Sequence, residues 1–218
     1  MSNSPSKGPS IYVLAGVNGA GKSSVGQVMF RSKNSDVFNP DTIAAKIQAL
    51  HPGISAAQAN GHAWQIGREL LEEAIRAKID YRFETTLGGH TIPRLLQEAA
   101  AAGHRVNIWF CGLESPELHL QRVRARVSQG GHDIPEDKIR ERWRGSRENL
   151  IHLMPILHHL RVYDNSAEGD PARGHLPHPV LLLEMKSGRI TAPKDLFQAP
   201  EWAQPLIAAA LRLSPPAS

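Results

Sequence analysis

The residues Gly16-Val17-Asn18-Gly19-Ala20-Gly21-Lys22-Ser23 satisfy G-x-x-x-x-G-K-[ST] at every fixed position. Glycines so placed let the backbone wrap until successive N–H groups point at phosphate oxygens, and a helix opening at the end of the run adds its positive pole to the same spot. In such a loop Lys22 reaches the β- and γ-phosphates and the Ser23 hydroxyl holds Mg²⁺. Asn18, Gly19, Ala20, Gly21, Lys22, Ser23 and Ser24 are therefore the candidate nucleotide-binding residues, with Ser23 as the metal ligand. A cradle alone does not say whether the nucleotide is only bound, is hydrolysed by water or serves as a phosphoryl donor.

Transfer to an acceptor needs an acid that orients the attacking hydroxyl and takes its proton. In an open α/β sheet that acid belongs at the C-terminal end of a strand beside the phosphate loop. Asp41, in VFNPDTIA, is placed that way, and it is equally placed to cap a helix beginning at Thr42. Glu84, in RFETTL, stands at the corresponding end of the next strand with the hydroxyls of Thr85 and Thr86 beside it. It suits water-mediated Mg²⁺ binding or a grip on a substrate hydroxyl, or it is a solvated strand-end charge.

The net charge of +4 has one location. Between Arg122 and Arg147 there are eight Lys or Arg against four acids, which accounts for the whole excess and points to a local anion site, not to a general polyanion binder. Arg122 and Arg126 share one helical face, and Arg140, Arg144 and Arg147 share another, with Gly130-Gly131 between them as a hinge. Two arginine-bearing helices on a flexible turn form a lid that can exclude water and bring guanidinium groups to the moving charge, or they form an exposed basic face partly paired with acids.

The elements that must position these groups alternate. SIYVLAG is a buried parallel strand feeding the glycine loop, and a helix follows to about Ser32. DVFN is a short second strand, DTIAAKIQALH a helix, and ISAAQANGHAWQIGRELLEEAIRAKI a long helix with Ile66, Leu70, Ala74 and Ile75 on its apolar face. YRFETTL, HRVNIWFCGL and LRVYDNS are further strands. Helices fall at about Thr91 to Ala102, after the cap Ser115-Pro116, and from Pro135 onward, where Leu150, Leu153, Met154 and Leu157 form a core stripe. This alternation predicts a parallel sheet covered by helices on both sides. VLLLEMKSGRITAP then gives two strands around Ser187-Gly188, and Pro200 to Leu213 a closing helix. The expected layout is a disordered tail over residues 1–9 and one domain over 10–213, with the lid at about 122–147 and a C-terminal β-hairpin and helix appendage at about 178–213.

The 218 residues are 41% hydrophobic and 21% charged, as in ordinary globular proteins. No signal-peptide pattern or membrane-length apolar run is present, so a cytoplasmic location and no membrane partner are expected. Cys111 reads as a buried strand residue, and the histidines of HLMPILHH, with His175 and His178, lack metal-site spacing.

The phosphate loop, FNPDTIA, FETTL, RVRARVSQGGHDIPEDKIRERW and YDNS, in that order over about Ile11 to Ser166, resemble the zeta toxin family of P-loop kinases, in its short toxin-like branch of bacterial ATPases. The segment from Pro179 to Trp202 is also similar to that branch. The resemblance implies a nucleotide-kinase-like α/β fold, ATP or GTP with Mg²⁺, and phosphorylation of a hydroxyl of UDP-N-acetylglucosamine or a related metabolite. On the matching positions it implies Lys22 and Ser23 as phosphate-loop lysine and Mg²⁺ ligand and Asp41 as the base. Glu84 with Thr85 falls at the substrate site. Arg126 with Arg140 or Arg142 resembles the charge-stabilising pair, Arg122 lies beside the substrate, and Asn165 and Ser166 lie near the nucleotide base. An antitoxin protein is an implied partner. This chain departs from the pattern in the short, Ala-rich segment between Asp41 and Glu84, and at Gly145, where that branch carries a larger, often basic, residue.

Three readings compete: a kinase for a nucleotide-sugar hydroxyl, a kinase for a polynucleotide 5′ end or an antibiotic, and a nucleotide-binding interaction protein of a toxin–antitoxin pair without turnover. The single basic segment and the 6% aromatic content argue against nucleic acid.

Overall fold

The computed structural model describes residues 8–22, 25–26, 37–131, 133–167, 178–193, 195–196 and 198–214. Ser23, Ser24 and the N-terminal residues 1–7 lie outside this set. Strand β1 (Ser10–Ala15) runs into the glycine loop, and the chain becomes helical at Lys22. Helices α1 (Pro40–Leu50) and α2 (Ala56–Ala77) form a hairpin. Then follow β2 (Tyr81–Thr85), α3 (Thr91–Ala101), β3 (Arg105–Gly112), α4 (Pro116–Val127), α5 (Glu136–Leu153), β4 (His159–Asp164), β5 (Val180–Lys186), β6 (Arg189–Ala192) and α6 (Gln204–Leu213). A 3₁₀ turn, Glu201–Ala203, opens the last of these where one helix is expected.

The sheet order is β2-β1-β3-β4-β5-β6. Its first four strands are parallel, and β5 and β6 add an antiparallel hairpin to the margin of β4. The hairpin turn places both Ser187 (φ 47°) and Gly188 (φ 77°) in the left-handed region, as a tight two-residue turn requires. The fold is thus mixed α/β with a mostly parallel sheet flanked by helices.

Alternation along the strands sorts the core. Ile11, Val13 and Ala15 of β1 face the same way as Val106, Ile108 and Phe110 of β3 and Leu160 and Val162 of β4. Leu71 and Ala74 of α2, Leu95 and Leu96 of α3, Leu150 and Leu153 of α5 and Leu206 of α6 cover that face. The expected stripe Leu150, Leu153, Met154 and Leu157 is buried. On the other face, Leu14, Cys111 and Tyr163 pack with Ala20 and Val25 behind the glycine loop.

Two expectations change. Among the described residues of DVFN, 37–39, no strand forms: Phe38 makes a single bridge to Phe83 of β2, with Phe38 N–H donating to Arg82 O and Glu84 N–H to Phe38 O, both at 2.9 Å. Pro40 ends the pairing because it begins α1. On α2 the buried line is Ala59, Ala63, Leu71 and Ala74, while Ile66 and Leu70 are 39% and 42% exposed. The first half of α2 packs on α1 through the buried Ala44, Ala59 and Ala63, with Ile43, Ile47 and Ile54 partly buried beside them. A reciprocal cap between Ser55 and Gln58 fixes where α2 begins.

The C-terminal segment closes on the sheet. A Cβ on Gly112 would lie 2.1 Å from the Trp202 ring, so only glycine leaves room for the indole. Arg147 of α5 stacks 3.5 Å over Trp143 and donates to Trp202 O at 3.2 Å. Among the described residues no helix is long and apolar enough to cross a membrane.

Candidate active site

The glycine loop has the backbone of a phosphate cradle. Gly16, Gly19 and Gly21 have φ of 144°, 83° and 77°, which side chains disfavour. A Cβ on Gly16 would strike Cys111 O at 2.4 Å, and one on Gly21 would strike the Asn165 amide at 2.2 Å. The loop is thus pressed against the ends of β3 and β4. Asn165 is buried and donates to Ala20 O at 2.9 Å, so it braces the loop from behind, and its amide is committed there. Cys111 is fully buried, and burial pushes its thiol up to about 12.

Lys22 folds back onto the loop, donating to Gly16 O at 2.9 Å. Burial holds its ammonium below the ordinary lysine value, against the pull of Glu84 and then Asp41. Glu84 is the reciprocal case. Burial raises its carboxyl, Lys22 opposes this, Asp41 adds to it and a hydrogen bond from the Asn39 side chain opposes it. Lys22, Glu84 and Asp41 therefore share one electrostatic site.

Asp41 is not the helix cap. Asn39 takes that role, its Oδ1 accepting from Asp41 N at 2.9 Å and Thr42 N at 3.2 Å, and α1 begins at Pro40. The Asp41 carboxylate, half-exposed in the first turn of α1, lies 3.8 Å from Arg126 Nη1. Asn39 was not legible as a site residue, although an Asn before a Pro-Asp helix start carries the capping signal.

The arginines divide. Arg142 Nη1 donates to Asn18 Oδ1 at 2.9 Å, reaching the phosphate loop, and Arg126 reaches Asp41. Arg122 donates to Ser166 O at 3.3 Å, beside Asn165. Arg140 is not brought to the site: it is tied at the surface to Glu117 and Glu136, both at 2.7 Å, where it joins α4 to α5. Gly130 and Gly131 close the end of α4. A Cβ on Gly131 would fall 2.7 Å from Arg126 Cγ, so this turn packs on the arginine that faces Asp41.

Lys22, Asp41, Glu84 and Thr85 open onto one cavity of about 530 Å³. Asn60, Trp64 and Arg68 of α2 form one wall, Leu87 to Ile92 a second, and Asp133, Lys138 and Arg142 a third. A nucleophilic hydroxyl in this space would sit between two carboxylates and the phosphate loop. That geometry suits proton abstraction next to an anionic donor.

His119 escaped the sequence reading. It is 1% exposed, and its Nδ1 pairs with Asn18 O at 2.8 Å, while Nε2 has no hydrogen-bond partner among the described residues. Burial, with Lys22 and Arg122 nearby, holds the imidazole down at about 4 despite the Asn18 carbonyl. The folded protein keeps it neutral, with the proton on Nδ1. An unfolded chain protonates His119 near 6.5 and the folded one near 4, so its contribution to stability is full above 6.5 and is lost as pH falls through 4. In urea titrations, parent and His119→Phe should diverge in this window by roughly 3 kcal/mol, with the steeper pH dependence in the parent.

Comparison with known proteins gives the site a context. The zeta toxin family model matches residues 1–169. An uncharacterized protein of Haemophilus influenzae is 35% identical over 132 residues, 59% of this chain and 88% of that protein. Crystal structures of AvrRxo1-ORF1:AvrRxo1-ORF2 with sulphate ions and with ATP superpose with a TM-score of 0.65 at 16% identity, over 97% and 98% of this chain. The chain spans only 65% and 66% of those chains. The structure from the PezAT chromosomal toxin–antitoxin system of Streptococcus pneumoniae gives 0.58 at 14% identity, covering 96% of this chain and 87% of that one.

Proposed function

Because this chain belongs to the zeta toxin family, we propose that it is a kinase that moves the γ-phosphate of ATP, or of GTP, to a hydroxyl of a nucleotide sugar of the UDP-N-acetylglucosamine kind. The observation that carries this reading is the convergence of Asp41, Glu84 and Lys22 on one cavity beside the glycine loop, with Arg126 and Arg142 reaching its borders.

A nucleotide supplies the phosphoryl group, and the left-handed glycines with the buried ammonium of Lys22 fit a polyphosphate. Lys22 neutralises the transferring phosphate. Asp41, in the first turn of α1, accepts the proton of the acceptor hydroxyl. Glu84 and Thr85 hold the acceptor. Arg142, already against Asn18, and Arg126 meet the charge that spreads during transfer. Ser23, the hydroxyl of the motif, would be the residue to hold Mg²⁺. Water alone needs no cavity of about 530 Å³ on the acid side of the loop, and the indole of Trp64 suits stacking on a ring. An antitoxin that covers this mouth would silence the enzyme.

Incubation with γ-labelled ATP, Mg²⁺ and UDP-N-acetylglucosamine should give a labelled sugar nucleotide. Label transferred only to another hydroxyl compound of a metabolite extract would overturn the choice of acceptor. ATP binding with no labelled acceptor at all would overturn the kinase.

A further inference from the structure

One face of α5 touches both halves of the cavity. Arg142, Gly145 and Asn149 recur three and four residues apart, on a single helical stripe. At one end, Arg142 donates to Asn18 Oδ1 in the glycine loop at 2.9 Å. At the other, the Asn149 amide donates twice, to Leu87 O at 2.8 Å and Gly89 O at 2.9 Å. Between them the backbones meet without side chains. A Cβ on Gly145 would lie 2.7 Å from Gly88 O, and one on Gly88 would lie 2.9 Å from Arg142 Cα.

The segment held this way is the cavity wall from Leu87 to Gly89. Leu87 has φ of 57°, a conformation unfavourable to a non-glycine residue that persists only when its surroundings fix it. The two Asn149 bonds flank Gly88, and Leu87 N–H and Gly88 N–H are capped by the hydroxyls of Thr85 and Thr86. An asparagine amide can give two hydrogens from one atom to two carbonyls, whereas aspartate would face the same oxygens with negative charge.

We propose that Asn149, with Gly145, is a positioning element for the acceptor. It fixes the wall formed by Leu87 to Gly89 at a set distance from the phosphate loop, and the seven helical steps from Arg142 to Asn149 act as a spacer of about 10 Å. This rests on the cavity being the acceptor site of a kinase. The glycine at 145 is what allows the wall to sit against the helix.

The test pairs hydrogen exchange, which needs no acceptor, with steady-state kinetics. In Asn149→Ala, amides of residues 85–91 should exchange faster than in the parent while those of β1 and β3 do not change. KM for UDP-N-acetylglucosamine should rise about tenfold or more with KM for ATP unchanged. Asn149→Asp should do the same more strongly, and Gly145→Ala, which pushes on Gly88 O without touching Asn149, should reproduce the split. Unaltered exchange at residues 85–91, or a fall in Tm with both KM values moving together, would overturn the proposal. If the parent transfers nothing to this sugar nucleotide, the acceptor assignment fails on its own and the exchange result decides the role of Asn149.

Discussion

Asp41→Asn is expected to slow phosphoryl transfer on the order of 100- to 10,000-fold, the range for losing a positioned general base. ATP affinity should stay near that of the parent. The substitution is clean because Asn39, not Asp41, caps α1, and the cap accepts from the backbone N–H of residue 41, which any residue keeps. Loss of the 3.8 Å ion pair with Arg126 contributes little to stability, since both side chains are substantially exposed. The isosteric amide holds the acceptor hydroxyl in place but does not take its proton. Single-turnover transfer measured beside nucleotide binding separates the two effects. A loss smaller than about tenfold would remove Asp41 from the role of base.

Lys22→Ala should cost on the order of 100- to 1000-fold in kcat, the scale for removing one preorganised group aimed at developing charge. Nucleotide binding should weaken as well. Two further consequences come from this site. Gly16 O loses its 2.9 Å partner, and Glu84, already raised by burial, loses the cation that opposes that rise. The variant should therefore hold Glu84 protonated to higher pH than the parent does. Lys22→Arg should not restore activity, because a planar guanidinium does not fit where the buried ammonium folds onto the loop. Nucleotide titration calorimetry with rate measurements at several pH values checks both points. Full activity in Lys22→Arg would show that charge alone is required.

Much of the fold was legible because its signals are local. Strand runs, Ser115 with Pro116 and the Ser187-Gly188 turn appear where periodicity and turn chemistry place them. DVFN fell short because a run of apolar residues next to Pro40 says nothing about how many partners the edge of the sheet offers. The α2 face was misread because Ile66 and Leu70 are large, whereas packing against α1 required Ala59 and Ala63. At the candidate site, the glycine loop was visible from its motif, and Asp41 was a candidate from its place after an apolar run and from the family resemblance. The residues that hold them in place were not, since His119 meets Asn18 across 101 positions and Asn149 meets Leu87 across 62. Contacts that distant leave no periodic trace in a single chain.

The bridge at Phe38 has a consequence for how the molecule comes apart. Asp41 rides on the α1–α2 hairpin, whose own buried residues are Ala44, Ala59 and Ala63 with Ile43, Ile47 and Ile54 beside them, and among the described residues leading into it Phe38 makes the bridge to the sheet. The glycine loop, by contrast, issues from β1, in the middle of the parallel strands. Partial opening therefore separates the carboxylate from the phosphate cradle at a lower free energy than global unfolding. On warming, the proposed transfer activity should be lost before nucleotide binding and before the fold, which activity, nucleotide titration and circular dichroism followed against temperature would check.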